Sequence, residues 1–192
     1  MTNHIEVYKD TLSPEVCESL ISRFDSNPGF LAPEHHPLYY QQPVRVDQEE
    51  MLNEPIAGAI KSYAQKHIFL IHVPVKWAID VNANLQHYEP GMSYDGEHCE
   101  HGSDEDTCCR VLAWMIYLNT VSDGGGTRFW QQKTRANAVQ GTMLVWPASW
   151  THSHSGIVSP TEHKYILTGW CSYIPQWSPK TPPKKQNKGF KL

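Results

Sequence analysis

The stretch "RVLAWMIYLN", Arg110–Asn119, is the segment on which the fold reading turns. It is short, rich in β-branched and aromatic residues, and followed by the turn signal "SDGGG" at 122–126, as expected of a β-strand. The same texture recurs on both sides of it. "VKWAIDVNANLQHYEPG" (75–91), "GTRFW" (126–130), "GTMLVWP" (141–147) and "HKYILTGWCSY" (163–173) are further strand candidates. Before residue 73 the pattern differs. "SPEVCESLISRFDS" (13–26) reads as a helix with Ser13 as cap, Pro14 and Glu15 in the first turn, and an apolar stripe of Val16, Leu20, Ile21 and Phe24. "NEPIAGAIKSYAQKH" (53–67) reads as a second, with Asn53 as cap, Pro55 early, and Ile56, Ala59, Ile60 and Tyr63 on one face. Between the helices, "FLAPEHHPLYYQQPVRVDQEE" (30–50) has three prolines and no period, so it reads as a long loop. Two helices leading into six to eight strands predict an α+β chain, mainly β, whose sheets curl into a barrel or jelly roll with the N-terminal helices packed on it.

Composition bounds the rest. The 192 residues suit a single domain, taken as 1–175 with a β core over about 75–173. The basic, proline-rich tail 176–192 reads as lying outside it. The formal net charge of −4 argues against a nucleic-acid partner, and no apolar run is long enough for a membrane span. No signal peptide is visible at the N-terminus. The five cysteines are odd in number and irregularly spaced, which suits free thiols in a reducing cytoplasm, that of a bacterium or of a phage host. Eleven histidines raise the prospect of a metal site.

Two histidines and one carboxylate on one face of a metal mark non-heme Fe(II) oxygenases, and a strand supplies His-x-Asp or His-x-Glu because side chains two apart share a face. The pattern occurs three times, at His4/Glu6, His87/Glu89 and His98/Glu100, so alone it does not choose. Context chooses the third. "HYEPGMSYDGEHCE" (87–100) is followed in order by "RVLAWMIYLN", "DGGGTRF", "GTMLVWP", "HSG" and "KYILTGW". This succession over residues 75–173 resembles the 2-oxoglutarate- and Fe(II)-dependent dioxygenases of the prolyl 4-hydroxylase type. Their pattern runs Tyr-x-x-Gly-x-x-Tyr, His-x-Asp, Arg, Tyr-Leu-Asn, Gly-Gly-x-Thr-x-Phe, a Gly before an apolar strand, His-x-Gly, and a basic residue before an aromatic.

The resemblance implies a double-stranded β-helix, the jelly-roll or cupin-like core of that family. It implies Fe(II), 2-oxoglutarate and O2, with ascorbate as an accessory reductant. His98, Glu100 and His154 would hold the metal, Glu100 standing where the family usually has Asp. Lys164, ten residues after His154, would meet the distal carboxylate of 2-oxoglutarate with Tyr117, and Tyr88 would line that pocket. His152 lacks the following Gly and falls to a supporting role. No catalytic group beyond the metal ligands is implied. The reaction would couple oxidative decarboxylation of 2-oxoglutarate to hydroxylation of an unactivated C–H bond, in a peptidyl residue such as proline. Alternatives are a hydroxylase of a free amino acid or other small molecule, a cupin-type enzyme without 2-oxoglutarate, and a non-catalytic jelly-roll metal binder. A base demethylase fits less well, because "SPTEHKYILTGW" (159–170) lacks an Arg-rich ending.

For the substrate, Arg128 is a candidate at the mouth, and Tyr39, Tyr40 and Arg45 are candidates on a lid over 29–50. The acidic loop 95–106 would favour a cationic partner. Arg110 suits a structural role at the start of its strand. Trp114, Trp146 and Trp170 are expected in the core, Gly124–Gly126 in a turn, and Cys108 and Cys109 as unbridged thiols.

Overall fold

The computed structural model describes residues 3–27, 29–31 and 39–174. In chain order they form β1 (Glu6–Tyr8), α1 (Pro14–Ser26), β2 (Phe30–Leu31), β3 (Tyr40–Arg45), α2 (Glu50–Lys66) and the one-turn α3 (Phe69–His72). There follow β4 (Trp77–Ile79), β5 (Asn82–Tyr88), β6 (Arg110–Tyr117), β7 (Thr127–Phe129), β8 (Thr134–Ala136), β9 (Met143–Pro147), β10 (His154–Gly156) and β11 (Lys164–Tyr173). The expected tail 176–192 and residues 32–38 of the expected lid lie outside the described residues.

The large sheet is antiparallel, in the order β1-β9-β6-β11-β5-β3-β2, with β4 beside the far end of β11. A small sheet runs β10-β7-β8. After Arg110 the central strand β6 is apolar because both of its faces are covered. Leu112, Trp114 and Ile116 face the helices in a cluster with Leu20, Phe24, Leu52, Ile56 and Tyr63. The alternate residues Ala113, Met115 and Tyr117 face inward, in a second cluster with Phe129 of the small sheet and with Tyr88, Trp146 and Ile166. This is the expected α+β, mainly β architecture, with more short strands than the sequence texture marks.

Local readings change where the tertiary structure outweighs them. In α1, Ser13 accepts from the Val16 N–H, as expected of the cap. The buried face is Cys17, Leu20 and Phe24, while Val16 and Ile21 lie at its flank, so Cys17 takes the centre of the stripe. Burying Leu20 and Phe24 contributes about 2 kcal/mol each. Helix α2 begins a turn before the Asn53 signal. The Glu49 carbonyl accepts from both Leu52 and Asn53, and Pro55 sits inside the helix. The earlier start carries Leu52 into the core, where it is fully buried, and this outweighs the one backbone bond that Pro55 removes. The expected loop 30–50 contains β3, which pairs with β5 over six residues. Pro43 is tolerated there because β2 pairs only with Tyr40 and Gln41, leaving the other side of Pro43 without a strand partner among the described residues.

Gly169 in β11 lies opposite Trp114 of β6, and a Cβ on it would stand 2.3 Å from the indole Cζ2. Trp114 is fully buried and has no room to yield. Gly169→Ala is therefore expected to cost roughly 1–3 kcal/mol of stability, read as a lower urea midpoint with an unchanged m-value.

Candidate metal and co-substrate site

After β5 the chain turns at Gly91, whose φ of 85° is left-handed backbone that glycine adopts without strain. It then returns alongside β10. The His98 N–H donates to the His154 carbonyl (3.0 Å), and the His154 N–H donates to the His98 carbonyl (2.8 Å). One step earlier in this pairing, Gly156 N donates to Tyr94 O at 2.6 Å. Beyond the bridge, Glu100 N donates to Ala148 O, just past β9, at 3.0 Å. These bonds keep the segment extended, so His98 and Glu100 project to the same side.

That side faces the ring of His154. Nε2 of His154 stands 3.2 Å from Glu100 Oε1, Nε2 of His98 stands 3.6 Å from the same oxygen, and one donor atom from each residue lies within 4.8 Å of the others. The outer nitrogens are engaged. His98 Nδ1–H donates to Gly96 O (2.9 Å) and His154 Nδ1–H to His152 O (3.0 Å), which fixes both tautomers with Nε2 turned inward. Two imidazole lone pairs and a carboxylate oxygen repel one another unless a cation or proton lies between them. Donors about 2 Å from a common ion would stand about 3 Å apart, so these donors fit a metal. Burial pushes the Glu100 carboxyl up, but without a metal His154 and then His98, when protonated at Nε2 as well, donate to it, outweigh burial and hold the group well below the usual carboxylate range. Glu100 Oε2 accepts from Trp170 Nε1 (2.7 Å) and Arg110 Nη1 (3.3 Å).

A cavity runs from these donors to Lys164 at the head of β11. Lys164 is 4 % exposed, and its Nζ lies 4.5 Å over the ring of Tyr88, its partner across the strands. It has no carboxylate partner among the described residues, and burial pushes its pKa down to about 8. Tyr117 is fully buried and lies behind the cavity wall. Its hydroxyl meets Thr127 Oγ1 at 2.8 Å, and Thr127 is the residue that lines the cavity.

Of the substrate candidates, Tyr39 lines the cavity and stacks on Tyr88 at 5.1 Å. Tyr40, Arg45 and Arg128 do not join it. Tyr40 lies over the His87 ring, as strand alternation sends the residue after Tyr39 to the other face. Arg45 is exposed and paired with Asp47 at 2.8 Å, at the end of β3 away from Tyr88. Arg128 is exposed over Trp130, between inward-facing Thr127 and Phe129. In the acidic loop, Asp104 is spent on accepting from Asp106 N, Thr107 N and the Thr107 hydroxyl. The His152 ring turns away and meets the Asn3 carbonyl, so His152 serves the site through its own carbonyl. Cys108 and Cys109 are free.

The structure adds lining residues that were not singled out, among them Asn84, Gln86, Tyr94 and Thr168. Asn84 and Gln86 occupy alternate positions of β5 on either side of the buried Leu85, a pattern legible in "NANLQHY" (82–88). Trp170, expected in the core, is half-buried and belongs to the cavity wall. Gly156 leaves room over Lys164, since a Cβ there would come 3.1 Å from Tyr94 O and 3.6 Å from the Lys164 Nζ.

A sequence model of the 2OG-Fe(II) oxygenase superfamily matches residues 83–172, which span the donors and Lys164. No curated protein matches the chain by sequence. Among solved structures, the chain is similar to a viral collagen prolyl hydroxylase of Paramecium bursaria Chlorella virus-1 in complex with 2OG. The TM-score is 0.71 at 19% identity, covering 89% of this chain and 97% of that one. It is also similar to a Pseudomonas putida prolyl-4-hydroxylase, with TM-score 0.67, 19% identity, and coverage of 91% and 95%. A Trichoplax adhaerens prolyl hydroxylase, in complex with a peptide fragment of the hypoxia inducible factor oxygen degradation domain, matches with TM-score 0.65, 13% identity, and coverage of 89% and 84%. The fold is the double-stranded β-helix. Residues 83–172 thus carry the sequence of a 2OG-Fe(II) oxygenase domain, that of a dioxygenase using Fe(II), 2-oxoglutarate and O2.

The burial of Lys164 has a measurable cost. Its folded pKa lies below its unfolded one, so folding disfavours the charged form, and stability is expected to rise as pH climbs from about 8 toward the ordinary value of 10.5. Lys164→Met is expected to raise the unfolding free energy of the ligand-free protein at pH 7 by roughly 1–3 kcal/mol, measured by urea titration.

Proposed function

From that domain match we propose that the chain hydroxylates a peptidyl residue, with proline the first substrate to try. The observation that carries the reading is the buried, carboxylate-free Lys164 at one end of a cavity whose other end is the His98–Glu100–His154 donor set. A metal-binding protein without turnover has no use for that cation. The substrate class is supported by the shared fold with prolyl hydroxylases, one of them bound to a peptide.

In this reading Nε2 of His98 and His154 and Oε1 of Glu100 would hold Fe(II), which would supply the redox chemistry for coupling conversion of 2-oxoglutarate and O2 to succinate and carbon dioxide with insertion of the other oxygen atom into a substrate C–H bond. The chain's own residues bind and exclude. Lys164 pairs its charge with the distal carboxylate of 2-oxoglutarate as a point charge. The Thr127 hydroxyl, oriented by Tyr117, offers a second contact, and the Tyr88 ring supports the ammonium from below. Trp146, Met115 and Ile166 keep the cavity wall apolar and dry. Tyr39 and Tyr94, with ring centroids 6.2 Å apart, offer aromatic faces to a substrate ring. The single domain 1–175 with a separate tail 176–192 belongs to the same proposal.

The test begins with an anaerobic titration of the metal-free protein with Fe(II) and 2-oxoglutarate, reading the visible charge-transfer absorption. It is expected in wild type and in His152→Ala, and lost in His154→Ala. A peptide panel then reads succinate release with a mass gain of one oxygen. Succinate with free amino acids alone would move the substrate to a small molecule. Absence of the absorption with metal bound would remove the 2-oxoglutarate pocket.

The lysine also makes the affinity depend on pH. The free enzyme must hold Lys164 protonated to receive the anion, so affinity falls as pH rises through about 8. The dissociation constant of 2-oxoglutarate is expected to weaken about tenfold between pH 7 and pH 9, measured by calorimetry with Mn(II) in place of iron.

A further inference from the structure

We propose that Trp170 and Arg110 are positioning residues that hold Glu100 to metal coordination through one oxygen, and that this pair is what lets a glutamate stand where the resembling pattern has an aspartate. The inference rests on the reading of His98, Glu100 and His154 as a metal centre.

The two oxygens of Glu100 have separate duties. Oε1 faces both histidine Nε2 atoms, at 3.2 and 3.6 Å. Oε2 is turned away from them and takes Trp170 Nε1–H at 2.7 Å and Arg110 Nη1–H at 3.3 Å. The same Arg110 nitrogen donates to the Glu100 backbone carbonyl at 3.2 Å. One guanidinium nitrogen therefore grips both ends of the residue and folds its side chain back over its own backbone. A glutamate has one more rotor than an aspartate, and this grip freezes it.

The clamp is itself held. The Arg110 guanidinium lies 3.7 Å over the Trp170 ring. The Trp170 carbonyl accepts from Asp80 N at 2.9 Å and from Trp114 Nε1 at 3.4 Å, which ties the strand carrying the indole to the core. Glu100, Arg110 and Trp170 come from three separate stretches, the segment after β5, the start of β6 and the end of β11.

The consequence concerns vacant coordination positions. A carboxylate free to rotate would bring its second oxygen onto the ion and occupy a place the reaction needs for 2-oxoglutarate or oxygen. With Oε2 committed to an indole and a guanidinium, the ion sees one carboxylate oxygen and keeps its open face. An aspartate would carry its carboxylate about 1.5 Å less far from the backbone, and could not reach the ion and the Trp170 N–H together.

The test uses Co(II) as probe on the full metal-free chain, reading affinity by titration and coordination by the ligand-field absorption. Trp170→Phe keeps the surface under Arg110 and removes only the donor. It is expected to weaken Co(II) about ten- to a hundredfold and to change the absorption. Arg110→Lys, which keeps the charge and loses the grip, is expected to do likewise if Trp170→Phe folds poorly. In the Glu100→Asp background, Trp170→Phe is expected to change affinity less than twofold. Wild-type affinity and absorption in both single variants would overturn the clamp while leaving the metal centre standing, as would an equal penalty in the Glu and Asp backgrounds. A wild-type chain that binds no Co(II) would overturn both.

Discussion

A two-bond antiparallel bridge between His98 and His154 holds the site together. It pins the segment after β5 against β10, and so sets the distance between a His-x-Glu pair and a histidine more than fifty residues later in the chain. The neighbouring bonds, Gly156 N to Tyr94 O and Glu100 N to Ala148 O, tie the segment down on either side of the bridge. Without this register the three donors would be ordinary polar groups on separate loops. With it, they converge with tautomers already fixed by the Gly96 and His152 carbonyls.

The remainder of the fold keeps that register rigid. β6 and β11 are paired along most of their length and buried on both faces, so neither slides. One face belongs to α1 and α2, the other to the cavity. β11 serves the site twice, with Lys164 at its start and Trp170 near its end. A single strand thus places the buried Lys164 cation and the Trp170 donor to the Glu100 carboxylate, and the pleat keeps both on the cavity side.

Two buried charges show how stability is given up for function. Glu100 is compensated, since donors surround it and burial does not prevent ionisation. Lys164 is not; it meets the face of Tyr88 and no carboxylate among the described residues, and its affinity for a proton falls accordingly. An uncompensated ammonium in a closed cavity is costly to the empty protein and suited to an anionic guest. The contrast separates a carboxylate held in one geometry by its donors from an ammonium left without a counter-charge among the described residues.

The sequence by itself determined the chemistry and the class of fold. Residue types at short spacing carry the donor set, because His98 and Glu100 share a face in any extended chain. The strand texture of "RVLAWMIYLN" and its companions carried the mainly-β core, because burial demands apolar, β-favouring residues wherever the strands pair. Only the tertiary structure decided which neighbours meet across strands. Nothing local tells Tyr39 from Tyr40, yet one lines the cavity and the other does not. Tyr117 lies behind Thr127, and Trp170 left the core for the Glu100 carboxylate, because both depend on the cross-strand register of β6 and β11. Helix α2 began early for the same reason, as the burial of Leu52 outweighed a local capping signal. Spacing along the chain is a local property, whereas register is settled by the sum of contacts over the whole sheet.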